Sequence, residues 1–292
     1  MSHDAAAGQA DIVKTHDAAA EAESAKRAQA GNIRPVPFRG GGFRHRPHLR
    51  VSLLVFVAVI VLWQLGCQYG FISTIALASP AQAFGAIMDL VHTGMLWKHV
   101  GLSLYRLIAG WTLGTLLGIA VGIMVGLFSL ARAGLMPLVS ALFPIPKIAL
   151  LPLFVVWFGI GEGSKIATIL FGTFFPTVIA TYSGIDSVDR NLIRMGQSFG
   201  LTWASIVRKI IVPGALPAIL SGFRISASIA IVLLVAAEMI GARYGIGAYI
   251  LTAGALFALD KLIAGVILLS VIGMVIAWLI GIAEKRLLDW RM

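Results

Sequence analysis

Gly110-Trp-Thr-Leu-Gly114-Thr-Leu-Leu-Gly118-Ile-Ala-Val-Gly122-Ile-Met-Val-Gly126 places a glycine at every fourth position of an otherwise apolar run. That period gathers all five glycines on one face of an α-helix, whereas a β-barrel span would alternate apolar and polar residues. Lipid gives helices little hydrophobic reason to associate, so a bare backbone face that admits close approach is a packing surface. Gly110, Gly114, Gly118, Gly122 and Gly126 therefore read as a helix-packing face, within the chain or between two copies, or as a smooth face that slides during gating. Gly265, Gly273, Ala277 and Gly281 repeat the pattern more weakly.

Composition agrees: 59% of the 292 residues are hydrophobic and 12% charged, and the mean hydropathy is +0.92. These values lie far from soluble-domain averages. The chain reads as an all-α integral membrane protein with about six transmembrane helices, near 51–71, 100–128, 135–158, 164–184, 217–241 and 262–283. Each approaches the roughly 20 apolar residues needed to cross about 30 Å of hydrocarbon. Residues 1–49 differ in kind, being Ala-rich with scattered charges and no apolar periodicity, and read as a disordered basic tail. Without a cleavage site, the first span is expected to stay as an anchor. Residues 50–292 form the membrane domain.

The formal charge of +10 is explained by topology. Eight of the 23 Lys and Arg precede the first span, four lie in 186–216, three follow the last span, and Arg132 lies between spans two and three. Only Lys98, Lys165, Arg243 and Lys261 mark the opposite side, so the positive-inside rule places both termini and the 186–216 loop in the cytoplasm. No nucleic-acid role is needed, because juxtamembrane bases serve topology and anionic membrane lipid.

The chain lacks catalytic signatures: no Walker A loop, H-E-x-x-H, G-x-S-x-G or cysteine cluster occurs. Gly159-Ile-Gly-Glu-Gly-Ser-Lys165 has the wrong order for a phosphate loop and reads as a tight turn between spans. His45 and His48 lack further ligands, and no metal site is expected; His92 and His99 read as interfacial. No enzyme activity is therefore expected of this chain, since a membrane enzyme would need a nucleophile, a metal or a paired acid and base, and a secondary transporter would need more membrane acids and an internal repeat.

Two regions attract function. Span three carries Pro137, Pro144, Pro146 and Pro152 with Lys147 among them. A lysine at that depth must face a bundle interior or wet cavity, where it either lines a translocation path or caps carbonyls freed by the prolines. Glu238, near the outer end of span five, is the acidic candidate, while Arg106 and Arg224 read as snorkelling toward span ends. Ser79-Pro80 starts a short amphipathic helix, about 80–92, on the outer surface.

The second region is 186–216. Asp186, Ser187 and Asp189 offer cap oxygens for a short helix ending at Gly200. Thr202 caps a second helix whose Trp203, Ile206, Val207, Ile210 and Ile211 share a face, and Pro213 is expected to stop it. The spacing Gly200, Ile210, Pro213 resembles the cytoplasmic signature loop of binding-protein-dependent ATP-binding-cassette importer permeases. Ser103-Leu-Tyr-Arg106, Pro144-Ile-Pro-Lys-Ile-Ala-Leu-Leu-Pro152, Trp157-Phe-Gly-Ile-Gly-Glu162, Phe174-Phe-Pro176, Pro213-Gly-Ala-Leu-Pro-Ala-Ile-Leu220 and Ala237-Glu238 are similar to the taurine, alkanesulfonate and nitrate permeases of that family.

The resemblance implies a type I importer bundle in the bacterial cytoplasmic (inner) membrane that works as a dimer, expected here to be a homodimer. It further implies a cytoplasmic ATP-binding subunit that carries ATP and Mg2+, a periplasmic or surface substrate-binding protein, and no cofactor on this chain. Its implied cargo is a small anion, an aliphatic sulfonate or taurine first and nitrate or bicarbonate next, with a vitamin precursor as the alternative. The implied coupling residues are Arg194, Met195, Gly196, Gly200, Val207, Ile210 and Pro213. Where the family reads Glu-Ala-Ala, this chain has Arg194-Met195-Gly196, which exchanges an acid for a base at the docking surface.

Overall fold

A computed structural model describes residues 49–289; the reading of 1–48 as a tail, with His45 and His48, lies outside them. The chain divides into two units, Met1–Val57 and Ala58–Met292. Helix α1, Leu49–Gln68, begins in the first and ends in the second. The second unit continues with α2 (Pro80–His92), α3 (Met95–Leu127), α4 (Ser129–Leu142), α5 (Leu151–Phe158) and α6 (Glu162–Asp186). After these come α7 (Arg190–Ser198), α8 (Trp203–Ile206), α9 (Val212–Met239), α10 (Ile246–Ala255) and α11 (Leu259–Leu288). No strand occurs among the described residues. Among the described residues, five helices are long and apolar enough to cross a membrane, or six if the bent α4–α5 pair counts as one span.

The bundle is organised on α6, which packs most extensively against α3 and then α9. The α3 glycine face meets a β-branched ladder of the same period: Gly110 faces Ile169, Gly114 Thr173, Gly118 Thr177, Gly122 Thr181 and Gly126 Ile185. A Cβ added at Gly114 would lie 2.1 Å from Thr173 Oγ1 and 2.6 Å from the Leu170 carbonyl oxygen. The glycine face is thus filled from within the same chain. Three α6 threonines satisfy their hydroxyls on the helix's own backbone: Thr168, Thr173 and Thr177 donate to the carbonyls of Ser164, Ile169 and Thr173 at 2.7, 2.9 and 2.8 Å, whereas the buried Thr181 Oγ1 opposite Gly122 has no hydrogen-bond partner. On the other side of α6, Gly172 admits Leu233, and Gly222 of α9 admits Ala180.

Span three, expected over 135–158 with its prolines, starts earlier, at Ser129, and is broken: its legs Ser129–Leu142 and Lys147–Phe158 lie at 91° to each other, the second opening with a 3-10 turn, Lys147–Leu150. Pro137 is accommodated inside α4, and Pro152 falls in the first turn of α5. The break is made by Pro144 and Pro146, which have no N–H to continue the ladder. Helix α2 has the expected bounds: Pro80 opens it, and Ser79 and Gln82 form a reciprocal capping box.

Candidate functional site

The 186–216 region folds into a compact knob. Asp189 caps α7, accepting from the Asn191 N–H at 2.8 Å. Asp186 and Ser187 do not cap it: Asp186 ends α6 and pairs with Arg132 at 2.9 Å, and the Ser187 hydroxyl turns back to the Gly184 carbonyl. Gly200 takes φ +70°, the left-handed position expected after the helix, and the Leu201 N–H closes on the Gly196 carbonyl at 3.1 Å. Thr202 caps α8.

Pro213 does not stop the second helix. Residues Val207–Ile211 form a π-helical turn, in which the Val212 N–H reaches the Val207 carbonyl, and the chain passes straight into α9. Widening the turn lets Pro213 enter in the first turn of α9, where a missing N–H costs little. Span five therefore starts earlier than expected, and one helical run extends over Trp203–Met239, 37 residues.

Gly196 is buried where the knob is tightest; a Cβ there would lie 2.9 Å from Ile210 Cδ1. Around it opens a groove of about 390 Å3 lined by Leu192, Met195, Phe199, Leu201, Ile210 and Pro213. Arg194 is exposed beside it. Below, Ile185, Val188, Ile206, Ile211, Ala215 and Ile219 form one buried cluster that ties the knob to α6 and α9. Val207 packs against that cluster.

Lys147 is half-buried in the break of span three. Its ammonium donates to the carbonyls of Leu142 at 3.1 Å and Ile145 at 2.8 Å, and to that of Phe143. It also lies 5.1 Å from the Phe175 ring centroid. The same side chain lines a cavity of about 250 Å3 with Phe143, Ile148, Gly172, Ile229 and Leu233. It thus combines carbonyl capping with exposure to an apolar-walled space beside α6 and α9.

Glu238 neither reaches outward nor stands alone, and Arg106 does not snorkel. The two are 1% and 2% exposed and paired at 2.7 Å. Arg106 turns its other edge to Glu162 as a two-pronged fork, Nε to Oε2 at 2.5 Å and Nη2 to Oε1 at 2.7 Å, and donates from Nη1 to the Tyr244 carbonyl at 2.7 Å. Ser103 Oγ donates to Glu238 Oε1 at 2.7 Å, and the Gly247 N–H donates to Oε2 at 2.8 Å. Gly245, at φ +143°, lets the backbone pass over the pair, since a Cβ there would lie 2.5 Å from Glu238 Cδ. Its N–H donates to His99 Nδ1 at 3.1 Å, so His99 orders this loop. Lys165, also buried, donates to the Gly161 carbonyl at 2.8 Å.

This network was not assembled from sequence, although Arg106, Glu162 and Glu238 each fall within a quoted motif. The usable signal was charge balance, two acids and two bases in apolar surroundings. Arg224 keeps an exposed head and pairs with Glu284. On the surface above, a hydrogen bond from Lys98 and the charge of Arg243 hold the Tyr244 phenol below its ordinary pKa range. Among the described residues no three His, Cys, Asp or Glu converge as metal ligands.

The described residues form a multi-span helical bundle that carries a folded knob continuous with one of its spans. Residues 114–289 match the family described as binding-protein-dependent transport system inner membrane component, and the chain belongs to it. It is 34% identical over 271 residues to SsuC of Bacillus subtilis (strain 168), named for aliphatic sulfonates transport, covering 93% of this chain and 98% of SsuC. It is also 34% identical over 245 residues to the taurine transport system permease TauC of Escherichia coli (strain K12), covering 82% and 89%. Among solved structures, inward-facing MetNI methionine ABC transporter superposes with a TM-score of 0.55 at 22% identity, over 68% of this chain and 96% of that one. The fold is that of a type I importer permease, and the chain is an importer permease close to those for sulfonates and taurine.

Proposed function

We propose that the chain is the permease subunit of an ATP-driven importer carrying taurine or short aliphatic sulfonates into the cytoplasm by alternating access. The observation that carries this reading is the unbroken helix Trp203–Met239. Its first turns form the knob, its middle borders the Lys147 cavity through Ile229 and Leu233, and its last turn holds Glu238. A push on Trp203 is transmitted along about 55 Å of helix, because a rigid element joined to mobile spans is what domain closure acts through. The groove around Gly196 receives a cytoplasmic ATP-binding subunit, which holds ATP and Mg2+. A substrate-binding protein delivers cargo on the opposite side, and a second copy of the permease completes the path. The termini lie in the cytoplasm of a bacterium.

Sulfonate cargo is supported by SsuC and TauC, and by one ammonium set among apolar walls, which suits an anionic head with a short alkyl tail better than bare nitrate. The test is uptake of labelled taurine into proteoliposomes containing the permease, its ATP-binding subunit and its binding protein. Saturable uptake that requires ATP and both partners, and is competed by alkanesulfonates, is expected. Uptake driven by a proton gradient without ATP, or indifferent to sulfonates, overturns the reading.

A further inference from the structure

The Arg106 network divides unevenly. Glu238 is held from three directions, by Arg106, the Ser103 hydroxyl and the Gly247 N–H, in a buried site. Ser103 in turn accepts from the Ile246 N–H at 2.9 Å, so α3, α9 and α10 are locked together. Glu162 is held only by Arg106 among the described residues, and its side chain is 44% exposed. It is the first residue of α6 and follows the turn Gly159-Ile160-Gly161, where Gly159 has φ +78° and neither glycine has a neighbour at its Cβ position.

Arg106 lies one helical turn before Gly110. The Arg106–Glu162 fork is therefore the terminal rung of the α3–α6 glycine seam, the place where that seam would begin to open. Charge makes opening feasible there. If the start of α6 leaves α3, Arg106 keeps Glu238, and Glu162 departs together with buried Lys165, three residues on. Each half is neutral, so neither side is left with an uncompensated charge in apolar surroundings, the costly outcome when a buried pair is broken. No other cut through the four charges combines this neutrality with an exposed partner.

We propose that Glu162 is the releasable arm of a gate at this end of the bundle, and that Arg106–Glu238 is its fixed anchor. The gate opens when the fork breaks and the 159–162 turn swings off α3. This rests on the alternating-access reading above.

The test uses the full-length permease, with its ATP-binding subunit and binding protein, in proteoliposomes. Cys67→Ser removes the native thiol and Ser164→Cys provides the reporter, since Ser164 is buried under the turn with its hydroxyl on the Gly161 carbonyl. Labelling by a membrane-impermeant methanethiosulfonate is followed without ATP. Glu162→Gln is expected to speed labelling by about tenfold or more, the shift produced by losing a charge-assisted pair. Glu162→Asp should return the rate toward that of the parent. Glu238→Gln should lower the melting temperature without this selective gain. Labelling of Glu162→Gln at the parent rate overturns the proposal, and so does equal acceleration by Glu162→Gln and Glu238→Gln with matching losses of thermal stability. If the parent complex shows no ATP-driven uptake, the transport reading fails, while the resting labelling rates still decide whether Glu162 holds the turn.

Discussion

Gly114→Ala adds one methyl group to a seam that has no room for it. The new Cβ would lie 2.1 Å from Thr173 Oγ1, 2.6 Å from the Leu170 carbonyl oxygen and 3.1 Å from Leu170 Cα. Ordinary contact needs about 3.4–4 Å between such atoms, so relief requires roughly an ångström of displacement. Rotating Thr173 clears only the first contact; the other two are backbone, so α3 and α6 must part. Overpacking of this kind costs about 1–3 kcal/mol. Against it stands the helix-propensity gain from Gly to Ala, about 0.5–1 kcal/mol. The net loss spans about 0–2.5 kcal/mol and centres on roughly 1, which corresponds to a melting temperature lower by about 2–4 °C at the centre for a domain of this size.

Gly101→Ala supplies the control, because that position lies in the same helix with nothing within 4 Å of its Cβ. It should gain the propensity term alone and melt at or above the parent. The assay is thermal unfolding in detergent, followed by tryptophan fluorescence. Opposite signs at Gly114 and Gly101 are the prediction. A Gly114→Ala protein that melts as high as Gly101→Ala would falsify the packing argument.

Three further substitutions separate structure from transport. Arg106→Met should cost about 3–5 kcal/mol by leaving Glu238 charged and unpaired, and adding Glu238→Gln should recover part of that loss; denaturation of the single and double variants checks both. Lys147→Met should abolish taurine uptake while leaving the assembled complex intact by size-exclusion chromatography; normal uptake removes Lys147 from the path. Arg194→Glu, which restores the family's acid beside the Gly196 groove, should weaken coupling to an ATP-binding subunit adapted to a base, lowering uptake per ATP hydrolysed. An unchanged or higher ratio refutes that idea.

Features governed by neighbours close in the chain could be read from the sequence. The period of the glycines, the apolar run lengths, the Asp189 and Thr202 caps and the left-handed Gly200 all depend on residues within a few positions of one another. Pro213 shows where local reading fails even at short range. Its missing N–H argues for termination, but a π turn starting six residues earlier moves the preceding hydrogen bond from i−4 to i−5 and lets the helix run through. The buried cluster Ile206, Ile211, Ala215 and Ile219 runs across this join, so knob and span share one apolar contact with Ile185 and Val188.

Arg106 fails for a different reason. A second span starting near residue 100 puts Arg106 close to its end, yet α3 begins at Met95, so the guanidinium lies a further turn inside the helix, and it is buried rather than reaching that end. Its partners are 56 and 132 residues away, and no periodicity links them. The one signal independent of distance is electroneutrality. A charge inside a membrane bundle is tolerated when an opposite charge shares its site, so Arg106 and Lys165 demand two acids at the same depth, and Glu162 and Glu238 are the acids near that same end of their spans. Assigning intramembrane charges as a balanced set, before deciding which of them snorkel, would have led from the sequence to this cluster, though not to the order in which its pairs part.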